Sequence, residues 1–440
     1  MKRQIGLTTA TSIVVANMIG TGIFVTTGYI AKLVPGPAWV MLCWAIGGFI
    51  AICGALCYGE LSTRMPEVGG EYVYLKKLYH PLLGFLTGWT SLIAGFSAPI
   101  ASAALGFSAY VFAGMNIPIT DHQPFPQKLC ATLIILIFTL IHYLGIKIGA
   151  KVQVLLTALK VMIILGLASL GLWFGTISQL PLMEEPFASF NVLSFGTAIM
   201  LVMFAYSGWN ASSYIAGELK NPRSTLPWSL VLGTIIVIFL YLAINAFVLA
   251  MLPYSELKGT IAVVHAAAVK IFGDWISNGI SALVSICLLS SLSAFIMVGP
   301  RVYFAMAKDK LFFPFADQIH PRYQVPGRSI VLQGAIAVAM VLISPLEQLL
   351  LYISFALNIF PWLAIIGLFI ARRRGIGEVT AVRATGFPIV AILYLGSSLL
   401  LMGIMYRARP IESTAALLTV LAGIPCYFIW IKIVNWKKPL

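Results

Sequence analysis

The sequence predicts an all-α polytopic membrane protein of about twelve transmembrane helices, and three observations carry that expectation. Hydrophobic residues fill 60% of the 440 positions and charged residues only 10%, far from the balance of a soluble domain. Mean hydropathy is +0.97. Apolar stretches of the ~20 residues that one bilayer crossing requires recur from one end of the chain to the other.

Spans are expected near residues 7–32, 38–63, 82–114, 128–145, 150–175, 192–219, 227–252, 276–306, 328–345, 348–371, 387–406 and 413–433, with ends placed to within ~2 to 4 residues. The first run is too long for a signal-peptide core, and no small-residue cleavage pattern follows it, so it is expected to stay in the mature protein. The whole chain reads as a single membrane domain.

The net charge of +14 raises the question of nucleic acid, and the positions of the charges decide against it. With both termini in the cytoplasm, about 21 of the 28 Lys and Arg residues fall on the cytoplasmic side, among them Lys2, Arg3, Arg64, Lys76, Lys147, Arg223, Arg301, Lys308, Arg372, Arg373, Arg374, Lys437 and Lys438. About six fall on the other side, and Lys160 alone lies inside a span. That asymmetry is an orientation signal for a lipid bilayer. The six cysteines form no C-x-x-C pair and lie mostly in apolar runs, where they pack. The five histidines stand singly, so neither a metal nor a redox cofactor is expected.

Two spans cannot be continuous helices. In the first, Gly20-Thr21-Gly22 interrupts an apolar run, and two glycines around a β-branched residue make a helix easy to open. In the sixth, the stretch from Ala205 through Tyr206, Ser207, Gly208 and Trp209 to Asn210 does the same. Irregular backbone at membrane depth persists only where protein or a water-filled cavity satisfies it. An opened helix exposes N–H groups at the start of its second half and carbonyls at the end of its first. The N–H groups of Thr21, Gly22 and Ile23 would attract an anion, and the carbonyls near Met18, Phe204, Ala205 and Ser207 a cation. A free amino acid presents both charges a few ångströms apart.

A Gly-x-Gly in an apolar helix also serves as a close-packing point, so Gly20 and Gly22 alone leave both readings open. The breaks fall in spans one and six, however, each opening a set of five. That is the pattern of two inverted repeats with substrate at their interface. The expected architecture is the leucine-transporter-like fold, with repeats over 1–175 and 192–371 and two further spans over 387–440.

Gly20-Thr21-Gly22-Ile23-Phe24 resembles the G-S-G-I-F motif of the amino acid, polyamine and organocation superfamily, with Thr in place of Ser. Phe204-Ala205-Tyr206-Ser207-Gly208-Trp209-Asn210, then Gly217-Glu218-Leu219-Lys220-Asn221-Pro222, is similar to the sixth helix of its L-type amino acid transporters. The stretch from Tyr58-Gly59-Glu60-Leu61-Ser62 to Pro66-Glu67-Val68-Gly69-Gly70-Glu71-Tyr72 resembles their loop after helix two.

The resemblance implies a sodium-independent carrier, usually an exchanger working by alternating access. By it Thr21, Gly22 and Ile23 match the carboxylate-binding motif, and Phe204, Ala205 and Ser207 match positions that face substrate. Asn210 and Tyr241 match polar positions near the pocket. L-type relatives in eukaryotes join a heavy chain through a cysteine in the loop between helices three and four. Residues 116–128 here contain none, so no obligate heavy-chain subunit is expected. The short amino terminus points to a bacterial plasma membrane.

Lys160 lies about 15 Å into the fifth span, too deep for a lysine stem to snorkel comfortably, and buried charges in membranes usually mark function. The surrounding Val152, Gln153 and Thr157 resemble the L-type fifth helix, whose lysine lies where sodium-dependent relatives bind an ion. The analogy places the ammonium against carbonyls around Gly20 and against Ser290 or Ser291.

A membrane enzyme would need clustered acids, bases or metal ligands at depth, and a channel would need filter repeats or charged pore rings; neither pattern is present. The small residues Ser207, Ala211, Ser212 and Ser213 favour a neutral substrate, and no acidic side chain is expected at the pocket. Proton-coupled symport and transport of an amino acid adduct such as a fructosamine stay open as alternatives.

Overall fold

The computed structural model describes residues 5–118, 124–145, 150–174, 190–323, 325–377 and 382–436. Lys2, Arg3, Lys147, Lys437 and Lys438 fall outside them. Helices dominate the described residues, and the one extended pairing is a parallel bridge between Ile5 and Leu219. Among the described residues ten helices are long and apolar enough to cross a membrane, and shorter apolar stretches at Thr157–Gly171 and Gly327–Ile343 stand at the other two expected spans. The architecture is the leucine-transporter-like fold.

Helix ends follow local chemistry. Pro37, Pro81 and Pro222 occupy first turns, where the missing N–H costs nothing. Asn191 caps the sixth span, its Oδ1 accepting from the backbone N–H groups of Leu193 at 2.8 Å and Ser194 at 3.2 Å. The tenth span, Leu346–Arg374, ends on Gly375 with φ +62°, the left-handed closure that glycine permits. Arg372, Arg373 and Arg374 fill its last turn, where cations meet the negative end of the helix dipole.

The structure departs from the expected elements in three places. The segment after the second span carries a helix, Glu71–Leu78, entered through Gly70 at φ +52°. The expected eighth span is preceded by helical residues from Val263, bent away at Gly273 with φ +68°. The third span widens over Ser91–Ser97; Pro99 has no N–H to return to Gly95, and within the widened turn the Ser97 hydroxyl donates to the Leu92 carbonyl at 2.6 Å.

Large apolar side chains such as Leu136, Leu140, Phe239 and Leu400 stand exposed on the outer surface, as a lipid solvent allows. The first and sixth spans lie inside: Ile23, Phe24, Met200, Ala205 and Tyr206 are buried. Four predicted cytoplasmic cations meet on one face. Arg64 and Arg372 both donate to Glu60, and Lys76 reaches Asp309 at 2.7 Å, beside Lys308. Trp430 donates to the Lys310 carbonyl on the same face at 3.0 Å. Predicted external cations meet elsewhere, Lys128 on the Leu342 carbonyl and Arg409 on Glu347.

Candidate functional site

Both predicted breaks exist. The first span runs as Leu7–Met18, leaves helical geometry at Ile19 and Gly20, and resumes as Thr21–Leu33. No side chain caps the second half, so its first N–H groups are available to a ligand. In the sixth span the helix Val192–Tyr206 holds two residues longer than the sequence suggested, through Ala205 and Tyr206. It opens at Ser207 and Gly208, where φ is +96°, and continues from Ala211 to Glu218 in tight 3₁₀ turns instead of an α-helix.

The breaks face a common cavity of about 120 Å³. Met18, Gly20, Thr21, Gly22, Phe204, Ala205, Ser207, Gly208 and Asn210 line it. Ile23 and Tyr241 do not. Ile23 is buried in the core, its side chain turned from the cavity by the helix that starts at Thr21. Tyr241 stands behind the cavity and ties the breaks together, its hydroxyl 2.6 Å from the Met18 carbonyl and 3.0 Å from that of Ala205. Met18 and Ala205 therefore already have a donor, and the Phe204 carbonyl accepts from Ser207 N–H at 2.9 Å. Each keeps a second lone pair.

Gly22 packs flush against the sixth span: a Cβ there would lie 2.4 Å from the Ala205 Cα. Gly20 has room, since a Cβ would meet only the Ser291 side chain, at ordinary contact distances of 3.5 and 3.6 Å. The two glycines of the motif thus do different jobs, the second close packing and the first backbone opening.

Lys160 is buried. Its Nζ lies 3.1 Å from the Ile19 carbonyl and 2.7 Å from the Ser291 hydroxyl, and Ser291 itself donates to Ile19 at 2.8 Å. One cation thus holds the end of the first half-helix to the eighth span. Ser290 is not part of this contact, and its buried hydroxyl has no protein partner.

Sequence reasoning missed many of the residues that line the cavity, Asn17, Ser91, Ser102 and Tyr214 among them, and two others bear directly on its chemistry. Thr90 lines the cavity with its buried hydroxyl unpartnered; nothing in an apolar helix pattern distinguishes such a threonine. Glu71 also lines it, which corrects the expectation that no acid would stand at the pocket. The motif Gly69-Gly70-Glu71-Tyr72 is visible in the sequence, but as part of a loop after the second span it gives no sign of where Glu71 ends up. Positive φ at both glycines turns the helix Glu71–Leu78 inward, and Glu71 ends beneath the sixth-span break, accepting from Asn210 Nδ2 at 2.6 Å.

A bundle of this fold, with two open helices around a small shared cavity, defines a membrane carrier for a small solute. Comparison with known proteins narrows that class: the family model for amino acid permeases matches residues 5–429, and the chain belongs to that family. It is 31% identical over 433 residues to the serine/threonine exchanger SteT of Bacillus subtilis, covering 97% of each chain. It is 27% identical to the human b(0,+)-type amino acid transporter 1, covering 98% of this chain and 88% of that one. Identity is also 27% to the human large neutral amino acids transporter small subunit 2, covering 98% of this chain and 80% of that one.

Proposed function

We propose that the protein exchanges small neutral L-amino acids across a bacterial plasma membrane by alternating access, without sodium. The observation that carries this reading is the single cavity bordered by both helix breaks, with uncapped N–H groups at Thr21 and Gly22 on one side and carbonyls of the first half-helices on the other. The substrate carboxylate would take the N–H groups and the ammonium the remaining carbonyl lone pairs.

A cavity of about 120 Å³ is well below the ~300 Å³ at which drug-sized sites begin, which favours small side chains over sugar adducts. The likeness to a serine/threonine exchanger points the same way. Lys160 would stand in for sodium: a fixed ammonium between the Ile19 carbonyl and Ser291 leaves no need for a free cation there. Residues 1–175 and 192–371 would be the two repeats that rock against each other, with both termini in the cytoplasm. The loop 116–128, free of cysteine, supports a carrier that works without a heavy chain.

Proteoliposomes preloaded with serine, threonine, alanine or leucine test the proposal. External labelled substrate should enter faster when internal substrate is present, at equal rates with and without a sodium gradient. Uptake driven by sodium, or no uptake of any amino acid, would overturn it.

A further inference from the structure

Glu71 is a buried carboxyl at the edge of the cavity, and among the described residues no Lys, Arg or His forms an ion pair with it. Two neutral donors take the same oxygen: Tyr58 Oη at 2.8 Å from the second span and Asn210 Nδ2 at 2.6 Å from the sixth-span break. A buried carboxylate without a cation is costly, and its escape is to bind a proton. The titratable side chains that face it are Tyr58 on the second span, Tyr74 on its own helix, Tyr214 on the sixth and Tyr394 on the eleventh. All are ordinarily neutral near pH 7, so the charge of this cluster is set by Glu71.

We propose that Glu71 is a proton-binding site inside the carrier, and that proton uptake from the face bearing Lys76 and Asp309 releases the sixth-span break. The proposal rests on the transport reading above and adds a second ligand, a proton, to it. The carboxylate accepts from Asn210, whose amide also reaches Tyr214 Oη at 3.4 Å and whose carbonyl accepts from Ser213 at 2.7 Å. One acceptor atom therefore pins the start of the 3₁₀ segment to the helix Glu71–Leu78 and the second span. Protonation turns a charged acceptor into a neutral acid and weakens both bonds, charge-assisted hydrogen bonds being roughly twice as strong as neutral ones. The segment from Gly208 to Tyr214 is then free to move away from the cavity, opening it. Burial pushes the Glu71 carboxyl up to about 7, against the lowering pull of Tyr58 and Asn210, so the change falls where cells operate. The broken sixth span and the proton share one side chain, Asn210, which links them.

The test uses full-length protein in proteoliposomes with the pH of each side set separately. Counterflow of a neutral amino acid should vary roughly fivefold with the pH of the Lys76 face, with a midpoint near 7, and little with the pH of the other face. Glu71→Gln should abolish that dependence and hold the rate at the low-pH value of the wild type. Tyr58→Phe removes one donor to the carboxylate and should move the midpoint up by about one pH unit; it supplies the answer should Glu71→Gln not fold. Infrared difference spectra of the purified protein should show one carboxylic acid signal titrating with the same midpoint, absent in Glu71→Gln. That readout does not require transport, so a wild type that carries no amino acid but shows the signal would overturn the transport reading and leave the proton site standing. A wild-type pH profile retained in Glu71→Gln would overturn the proposal. So would pH-independent exchange coupled with loss of lysine or arginine uptake in Glu71→Gln, which would make Glu71 a contact for cationic substrates instead.

Discussion

Lys160 on the fifth span and Ser291 on the eighth are 2.7 Å apart, and both donate to the carbonyl of Ile19, where the first half of the broken span ends. Three spans thus converge on one backbone oxygen. Movement of any of them relative to the others must stretch these bonds.

Lys160→Ala should fold and lose exchange. Removing the ammonium leaves Ile19 with the neutral Ser291 hydroxyl alone, and hydrogen bonds to charged groups contribute about 1.5–3 kcal/mol. Exchange should fall roughly 10- to 100-fold, measured as counterflow normalised to monodisperse protein. Wild-type rates on both sides of the membrane would remove Lys160 from the coupling.

Tyr241→Phe separates the breaks without emptying the core, because the ring stays packed against Trp44 and Tyr206. The carbonyls of Met18 and Ala205 lose a shared donor, a cost of about 1–3 kcal/mol if no water replaces it. Substrate affinity by scintillation proximity should drop roughly tenfold. Unchanged affinity would mean that the half-helices keep their positions without this bridge.

The two glycines of the first break should separate cleanly. Gly22→Ala places a Cβ 2.4 Å from the Ala205 Cα and should reduce the yield of folded protein, read by fluorescence-detected gel filtration. Gly20→Ala has ordinary space and should fold, with weakened substrate binding because the opened backbone loses freedom. Equal folded yields for the two variants would contradict the close packing of the first and sixth spans.

Arg372→Ala should loosen the face that carries Lys76 and Asp309. Glu60 is buried and accepts from Arg64 and Arg372 side chains and from Ala384 N–H at 2.8 Å, joining the second and tenth spans to the segment before the eleventh. Loss of the partly buried Arg372 leaves two donors, so a destabilisation of about 1–3 kcal/mol is expected, seen as a lower apparent Tm in detergent. An unaltered Tm would show that Arg64 and Ala384 suffice.

From its sequence alone this protein was determined as a membrane bundle of about twelve spans with breaks at Gly20-Thr21-Gly22 and within residues 205–210. Bilayer thickness converts apolar run length directly into spans, and glycine or polar interruptions within such runs are local signals. The depth of Lys160 was legible for the same reason. What only the tertiary structure decided is which atoms meet. Gly20 and Gly22 look alike in the chain, yet one has room for a Cβ beside Ser291 and the other lies on Ala205. Tyr241 matched a pocket position but stands behind the carbonyls, and Ser291 rather than its neighbour Ser290 reaches Lys160. Glu71 sits in a segment that reads as a loop after the second span, and it reaches the cavity because Gly69 and Gly70 turn the backbone through positive φ. The side-chain periodicity of a helix states which residues share a face, while the partner of that face depends on spans far away in sequence, and that choice is made by packing.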